Sequence, residues 1–73
     1  MRDAERSRAL FSVGQIGNSR GRYDEALAHL EESLAIAREI GDRLRVAAAL
    51  QPLGLVLAGL GDLASARKCF DEA

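Results

Sequence analysis

The 73-residue sequence predicts an all-α fold of two tandem antiparallel helix pairs, an α-solenoid fragment. Three observations predict it. Alanine and leucine dominate, while β-branched and aromatic residues are few, so signals for β-strands are nearly absent. Glycines break the chain at short, regular intervals. The pattern of apolar and small residues in the first half recurs in the second half, forty positions later.

Glycine breaks divide the chain into four predicted helices. In Gly41–Asp42 and Gly61–Asp62, glycine tolerates the left-handed conformation that ends a helix, and aspartate caps the next one. We expect helices at about 3–20, 23–40, 43–60 and 62–73. The short loops between them make neighbouring helices antiparallel. Pro52 lies inside the third helix, where it predicts a kink near 48–52, with a functional hinge as the alternative.

A step of forty residues relates the two halves of the chain. The identical pairs include Ala9 with Ala49, Leu10 with Leu50, Gly14 with Gly54, and Ala26 with Ala66. Glycine inside a helix costs about 1 kcal/mol relative to alanine. The recurring Gly14 and Gly54 therefore predict a close approach of helix backbones, with Ala26 and Ala66 facing them. The residues that we expect to be buried are Leu10, Val13, Leu27, Leu30, Leu34, Leu50, Leu53, Leu57 and Leu63.

The recurring motifs resemble the tetratricopeptide repeat. They read Leu-x-x-(Val/Leu)-Gly in the first helix of each unit and Gly-x-(Tyr/Leu)-x-x-Ala at the start of the second. The forty-residue period, against the usual period of about 34, is similar to a longer variant of this family. That variant occurs in Leu-Gly-Asn-repeat proteins, kinesin-light-chain-like repeats and bacterial regulators. The family's signature asparagine is replaced by Gln15 and Leu55, and Gly17 stands where a large aromatic residue is usual.

The resemblance also implies a domain organisation. It covers residues 7–73 and implies one domain over 1–73. Repeat one then spans about 7–46, and repeat two spans about 47–73 and ends early. The abundance of arginine, alanine and leucine favours a bacterial gene of high GC content.

Composition narrows the class of partner. The net charge is −1 and lysine and arginine form no dense cluster, so we expect no nucleic-acid partner. The most apolar stretch, 46–60, is shorter than the roughly 20 residues that a membrane-spanning helix needs, so we expect no membrane span. The single cysteine, Cys69, cannot form an internal disulfide, which favours a cytoplasmic location or a chain that is indifferent to redox conditions.

Only one pair of residues invites a catalytic interpretation. His29 and Cys69 occupy equivalent positions in the two repeats, on the outer helices, where the family's side chains usually face solvent. The pattern places no acidic residue to orient the histidine, and it contains neither metal-ligand spacing nor a glycine-rich anion loop. We therefore expect no catalytic residues, no metal site and no cofactor, and we predict that the protein is not an enzyme.

The resemblance implies a protein-interaction module. In the family, the first helix of each repeat lines a concave groove that binds a protein or peptide partner. Such a groove accepts an extended peptide or an amphipathic helix. The resemblance further implies that it belongs to a larger scaffold or regulator. By position, the groove residues are Arg8, Phe11, Gln15, Asn18, Ser19, Ala48, Gln51, Leu55, Ala58 and Gly59.

The alternative is a self-assembling structural unit. Two repeats enclose a smaller shared core than the three or so that a stable array needs. A homo-oligomer would then cover the groove and the ends of each chain with other copies, because exposed apolar patches mark interaction surfaces. The expected contact residues are Leu55, Val56, Leu60 and Phe70.

Overall fold

A computed structural model describes residues 3–73, and these residues form four α-helices without a strand among them. The helices are α1 Ala4–Ser19, α2 Tyr23–Glu39, α3 Arg43–Gly59 and α4 Leu63–Glu72. The all-α prediction is confirmed, and every predicted helix end lies within one residue of the observed end.

Aspartates cap three of the four helices. The carboxylates of Asp3, Asp42 and Asp62 each accept a hydrogen bond from the backbone N–H three residues later, at 2.9–3.1 Å. These bonds satisfy backbone donors that have no partner within the helix. α2 begins after Arg22, which makes no side-chain cap.

A left-handed glycine stands in each interhelical turn. Gly21, Gly41 and Gly61 have φ angles of 74°, 70° and 86°. A residue with a Cβ is strained in this region. The glycine breaks in the sequence therefore mark the true turns.

The helices pack as two antiparallel hairpins that stack on each other. α1 packs on α2, α2 on α3 and α3 on α4, and α1 also contacts α3. Within residues 3–73, no Cα atom of α2 lies within 8 Å of one in α4, although Arg38 of α2 donates a hydrogen bond to Glu72 of α4. Because α1 and α3 touch while α2 and α4 stand apart, α1 and α3 lie on the inner side of the stack.

The core lies where the two hairpins meet. Ala26 and Leu30 of α2 form one buried cluster with Leu53 and Val56 of α3. Around this cluster, the partly buried apolar residues are Phe11, Tyr23, Leu27, Leu34, Leu57 and Cys69.

The predicted core is wrong at two positions. Leu30, Leu50 and Leu53 are buried, whereas Val13 is 47 % exposed and Leu63 is 69 % exposed. The other predicted core residues, which are half-buried, are Leu10, Leu27, Leu34 and Leu57. The forty-residue pattern marks positions that are buried between repeats, but Val13 and Leu63 face outward at opposite ends of the stack.

The nearest neighbours of the two mid-helix glycines are side chains of the paired helix, and Gly14 also comes close to a helix backbone. A Cβ on Gly14 would lie 2.6 Å from Cγ of Leu30, and a Cβ on Gly54 would lie 2.6 Å from Cε1 of Phe70. Leu30 and Phe70 are themselves forty residues apart. The predicted approach of Gly14 to Ala26 is observed as a contact with the backbone, because the Ala26 carbonyl oxygen lies 3.4 Å from the Cβ position of Gly14.

α3 continues through Pro52 without interruption, and the proline is buried. A continuous helix is compatible with a bend at this residue, so the kink and the hinge both stay predictions.

A pair of buried serines joins α1 to α2. The hydroxyl of Ser7 donates to the carbonyl of Ser33 at 2.9 Å, and the hydroxyl of Ser33 donates to the carbonyl of Ser7 at 2.7 Å. The counterparts of these serines in the second repeat are Ala47 and Ala73. The pair is therefore specific to the first hairpin, and the repeat pattern did not reveal it.

Candidate protein-interaction surface

The predicted groove residues lie on the two inner helices. Three of those on α1 are exposed, namely Arg8, Gln15 and Ser19, and so are Ala48, Gln51 and Leu55 on α3. The half-buried ones are Phe11, Asn18 and Ala58. Spacings of three and four residues place side chains on one face of a helix. We call the exposed set on these two adjacent helices the groove stripe.

Gly59 does not belong to the groove stripe. A Cβ on Gly59 would lie 2.8 Å from Cζ of Tyr23, so this position faces α2. The correction follows from helix geometry, because Gly59 is one residue beyond Ala58 and therefore about 100° further around the helix. Gly59 lets the Tyr23 ring pack closely at the junction of the two repeats.

Leu44 extends the groove stripe by one turn and was missed from the sequence. It precedes Ala48 by four residues and is 85 % exposed. Its counterpart in the first repeat is Ala4, so a comparison of the two repeats does not identify Leu44. The four-residue spacing from Ala48 would have identified it. A surface cavity of about 320 Å³ beside it is lined by Asp42, Leu44, Arg45 and Ala48.

The groove stripe divides into a polar half and an apolar half. On α1 it offers the Arg8 guanidinium, which suits a carboxylate, and the amide of Gln15. On α3 it offers the exposed leucines Leu44 and Leu55 on either side of the small residue Ala48. This arrangement can bury apolar side chains of a partner while leaving room for its backbone.

A cavity of about 480 Å³ lies outside the groove stripe. Its lining residues are Arg38, Gly41, Arg43, Val46, Ala47, Leu50 and Glu72. The Arg38 guanidinium already binds the Glu72 carboxylate, so its charge is balanced within the chain. The Arg38 and Glu72 side chains at this cavity are about half exposed, so solvent weakens their electrostatic attraction for a ligand.

His29 and Cys69 are half-buried rather than solvent-facing, which corrects the prediction for this position. Cys69 packs against the core cluster, and its burial, together with the nearby Glu72 carboxylate, raises the pKa of the thiol. A raised pKa disfavours the thiolate that nucleophilic chemistry needs. The two residues lie on α2 and α4, which do not pack on each other in the described part of the chain.

Residues 3–73 contain neither a cluster of potential metal ligands nor a helix that could span a membrane. No three His, Cys, Asp or Glu side chains in that range are grouped so that they could hold a metal ion. None of the four helices there combines the length and the apolar character that crossing a membrane requires.

The predicted self-association residues differ in their access to solvent. Leu55, Leu60 and Phe70 are each exposed by two fifths or more of their surface. Val56 is completely buried, so its prediction as a contact residue is wrong. Val56 faces α2, where it packs in the core cluster with Ala26 and Leu30.

Two stacked helix hairpins that repeat every forty residues define a helical-repeat protein of the α-solenoid class. The family model for the tetratricopeptide repeat matches residues 5–73, nearly the whole chain. The chain therefore belongs to the tetratricopeptide repeat family. No curated protein and no solved structure matches it significantly. Tetratricopeptide repeats are in general non-enzymatic modules that bind other proteins.

Proposed function

We propose that this chain binds a protein partner along the groove stripe, as an extended peptide or an amphipathic helix, within a larger scaffold or regulator. The observation that supports the proposal most strongly is the pair of exposed leucines on the inner helix α3. Leu44 is 85 % exposed and Leu55 is 55 % exposed. Apolar side chains of this size are costly to leave in water, and a partner that covers them gains their burial.

The chemistry of the groove stripe defines the partner. Its apolar side chains would lie over Leu44 and Leu55, with its backbone close to Ala48 between them. An acidic side chain of the partner would meet Arg8 on the neighbouring helix. We therefore expect a segment with apolar residues at helical or extended spacing and a carboxylate at one side.

The test begins with a peptide selected from a random display library against the purified chain. Calorimetry then gives its dissociation constant for the wild type, for Leu55→Glu and for the double variant Arg8→Ala with Gln15→Ala. We expect Leu55→Glu to weaken binding about tenfold or more, because it places a charge in an apolar contact. We expect the double variant to weaken binding while helicity measured by circular dichroism stays unchanged.

Leu63→Glu is the matched control, because Leu63 is an exposed leucine on α4, away from the groove stripe. It should bind the peptide as tightly as the wild type. If Leu55→Glu and the double variant both keep the wild-type affinity, the groove assignment is wrong.

A second candidate function is self-assembly into a homo-oligomer. It is favoured by the large apolar side chains that are exposed at the two ends of the stack, including Ile16 of α1 and Leu63 of α4. A concentration series of molar mass by light scattering separates this candidate from a purely monomeric peptide binder. A wild type that stays monomeric and fully helical at every concentration would contradict it.

A further inference from the structure

The junction between the two repeats supplies a template for a contact between chains. On one side of this junction, α2 contributes Tyr23, Ala26, Leu27 and Leu30. On the other side, α3 contributes Leu53, Val56 and Leu57. The Tyr23 ring sits over Gly59, so the start of α2 meets the end of α3.

The residues forty positions away from the two sides of this junction lie at the two opposite ends of the stack. The α2 residues map onto Leu63, Ala66, Arg67 and Phe70 of α4. The α3 residues map onto Val13, Ile16 and Gly17 of α1. We call the outer surface formed by Leu63, Arg67 and Phe70 the C-terminal face, and that formed by Val13 and Ile16 the N-terminal face.

Burial at the junction and exposure at the two faces are complementary. Leu53 and Val56 are 4 % and 0 % exposed, whereas Val13 and Ile16 are 47 % and 55 % exposed. Likewise Leu30 is fully buried, while its counterpart Phe70 is 40 % exposed. Each face thus presents, in the same chain, one half of a contact that the chain already makes internally.

Polar residues beside the two faces also match in charge. The internal contact of Tyr23 with Gly59 corresponds to a contact of Leu63 with Ser19 of another copy. Asp62 precedes Leu63 and Arg20 follows Ser19, so opposite charges lie where the copies would meet.

His29 lies beside the N-terminal face. Its Nδ1 atom is buried and has no hydrogen-bond partner among the described residues. The residue lines a cavity of about 140 Å³ beside the N-terminal face, together with Val13, Ile16 and Arg20. Because Nδ1 is already shielded from solvent, this site would contribute the cavity beside Val13 and Ile16 to a contact, and not a hydrogen bond to the ring.

We propose that copies of this chain assemble head to tail, with the C-terminal face of one copy packed on the N-terminal face of the next. α4 and the next copy's α1 then repeat the packing of α2 on α3. The proposal rests on the self-assembly candidate. The residues that define the two faces lie outside the groove stripe, and only Ser19 at its edge would touch the neighbouring copy. A contact between two different faces leaves one face of each kind open, so the assembly grows instead of stopping at a dimer.

The test uses two variants that each block one face. Ile16→Glu blocks the N-terminal face, and Leu63→Glu blocks the C-terminal face. By light scattering and sedimentation velocity, the wild type should grow beyond a dimer as its concentration rises, whereas each variant alone should stay monomeric. An equimolar mixture of the two variants should form a heterodimer that grows no further, because each variant brings one intact face. Ala35→Glu, a change of an exposed residue of α2 that belongs to neither face nor to the groove stripe, should assemble like the wild type.

Three outcomes would overturn the proposal. A monomeric wild type removes self-assembly altogether. A wild type that stops at a dimer indicates a two-fold contact instead of the head-to-tail one. A mixture that stays monomeric, with circular dichroism showing both variants to be folded, shows that the two faces do not meet. If a glutamate variant loses its helicity, the serine variants Ile16→Ser and Leu63→Ser repeat the same comparison without an added charge.

Discussion

Two glycines in equivalent helices create the space into which each hairpin's second helix packs. Gly14 accepts Leu30 and Gly54 accepts Phe70, and in both cases an added Cβ would come within 2.6 Å of the side chain. Alanine is the better helix former, by about 1 kcal/mol, so the glycines carry a cost that the packing offsets. The two sites differ in how freely the side chain opposite can move, because Leu30 is fully buried and Phe70 is partly exposed.

We predict that Gly14→Ala lowers the free energy of unfolding by about 1–3 kcal/mol, because the buried Leu30 cannot move away from the added methyl group. Gly54→Ala should cost less, because the Phe70 ring can shift toward solvent. Urea unfolding followed by circular dichroism measures both variants, with the exposed helical site Ser12→Ala as the control. A Gly14→Ala variant at least as stable as the wild type would contradict the packing described for Leu30.

Among the elements, α4 begins at an aspartate cap whose pKa is shifted. Hydrogen bonds from the hydroxyl and the backbone N–H of Ser65 lower the pKa of the Asp62 carboxyl below its ordinary value of 3.8. A lowered pKa in the folded state means that the ionised cap stabilises the fold. That contribution is complete above the unfolded pKa and is lost as the pH falls through the lower folded pKa.

We therefore predict that α4 frays in acid when Asp62 becomes protonated. Hydrogen exchange at the Ser65 amide should accelerate, relative to amides in the middle of α3, as the pH falls below about 4. Asp62→Asn is the control, because asparagine caps a helix without titrating in this range. Equal acid sensitivity of Ser65 protection in the wild type and in Asp62→Asn would contradict this role for the Asp62 carboxylate.

Helix boundaries were predictable because local chemistry sets them. Asp42 and Asp62 cap their helices, and Gly41 and Gly61 adopt the left-handed turn, as the sequence indicates. Which side of each helix is buried was less predictable. Val13 and Leu53 look alike in the repeat pattern, yet only Leu53 has a preceding helix pair to cover it, so their burial is set by position in the stack.

At the scale of the whole molecule, the fold and most of the groove stripe follow from the repeat, but features of one repeat alone do not. Ser7 and Ser33 pair across 26 residues of sequence, and neither recurs in the second repeat. Leu44 was overlooked because its counterpart is Ala4. Sequence comparison within a chain finds what the repeats share, whereas a binding surface often depends on where they differ.

The proposed peptide-binding surface and the proposed assembly surfaces lie on different parts of the molecule. The groove stripe runs over the inner helices α1 and α3, and the N-terminal and C-terminal faces close the two ends of the stack. Head-to-tail assembly would join the groove stripes of successive copies into one longer surface. A partner with repeated apolar segments would then bind with higher avidity than a single segment does.

The measurement that tests the central claim most directly is a chemical-shift map of the ¹⁵N-labelled chain with the selected peptide bound. The variant Leu63→Glu, which the head-to-tail proposal expects to be monomeric, is used so that assembly does not broaden the signals. The account predicts that the largest shifts fall on the groove stripe, at Arg8, Gln15, Leu44, Ala48 and Leu55. Shifts confined to the outer surface of α2, between Asp24 and Arg38, would contradict it.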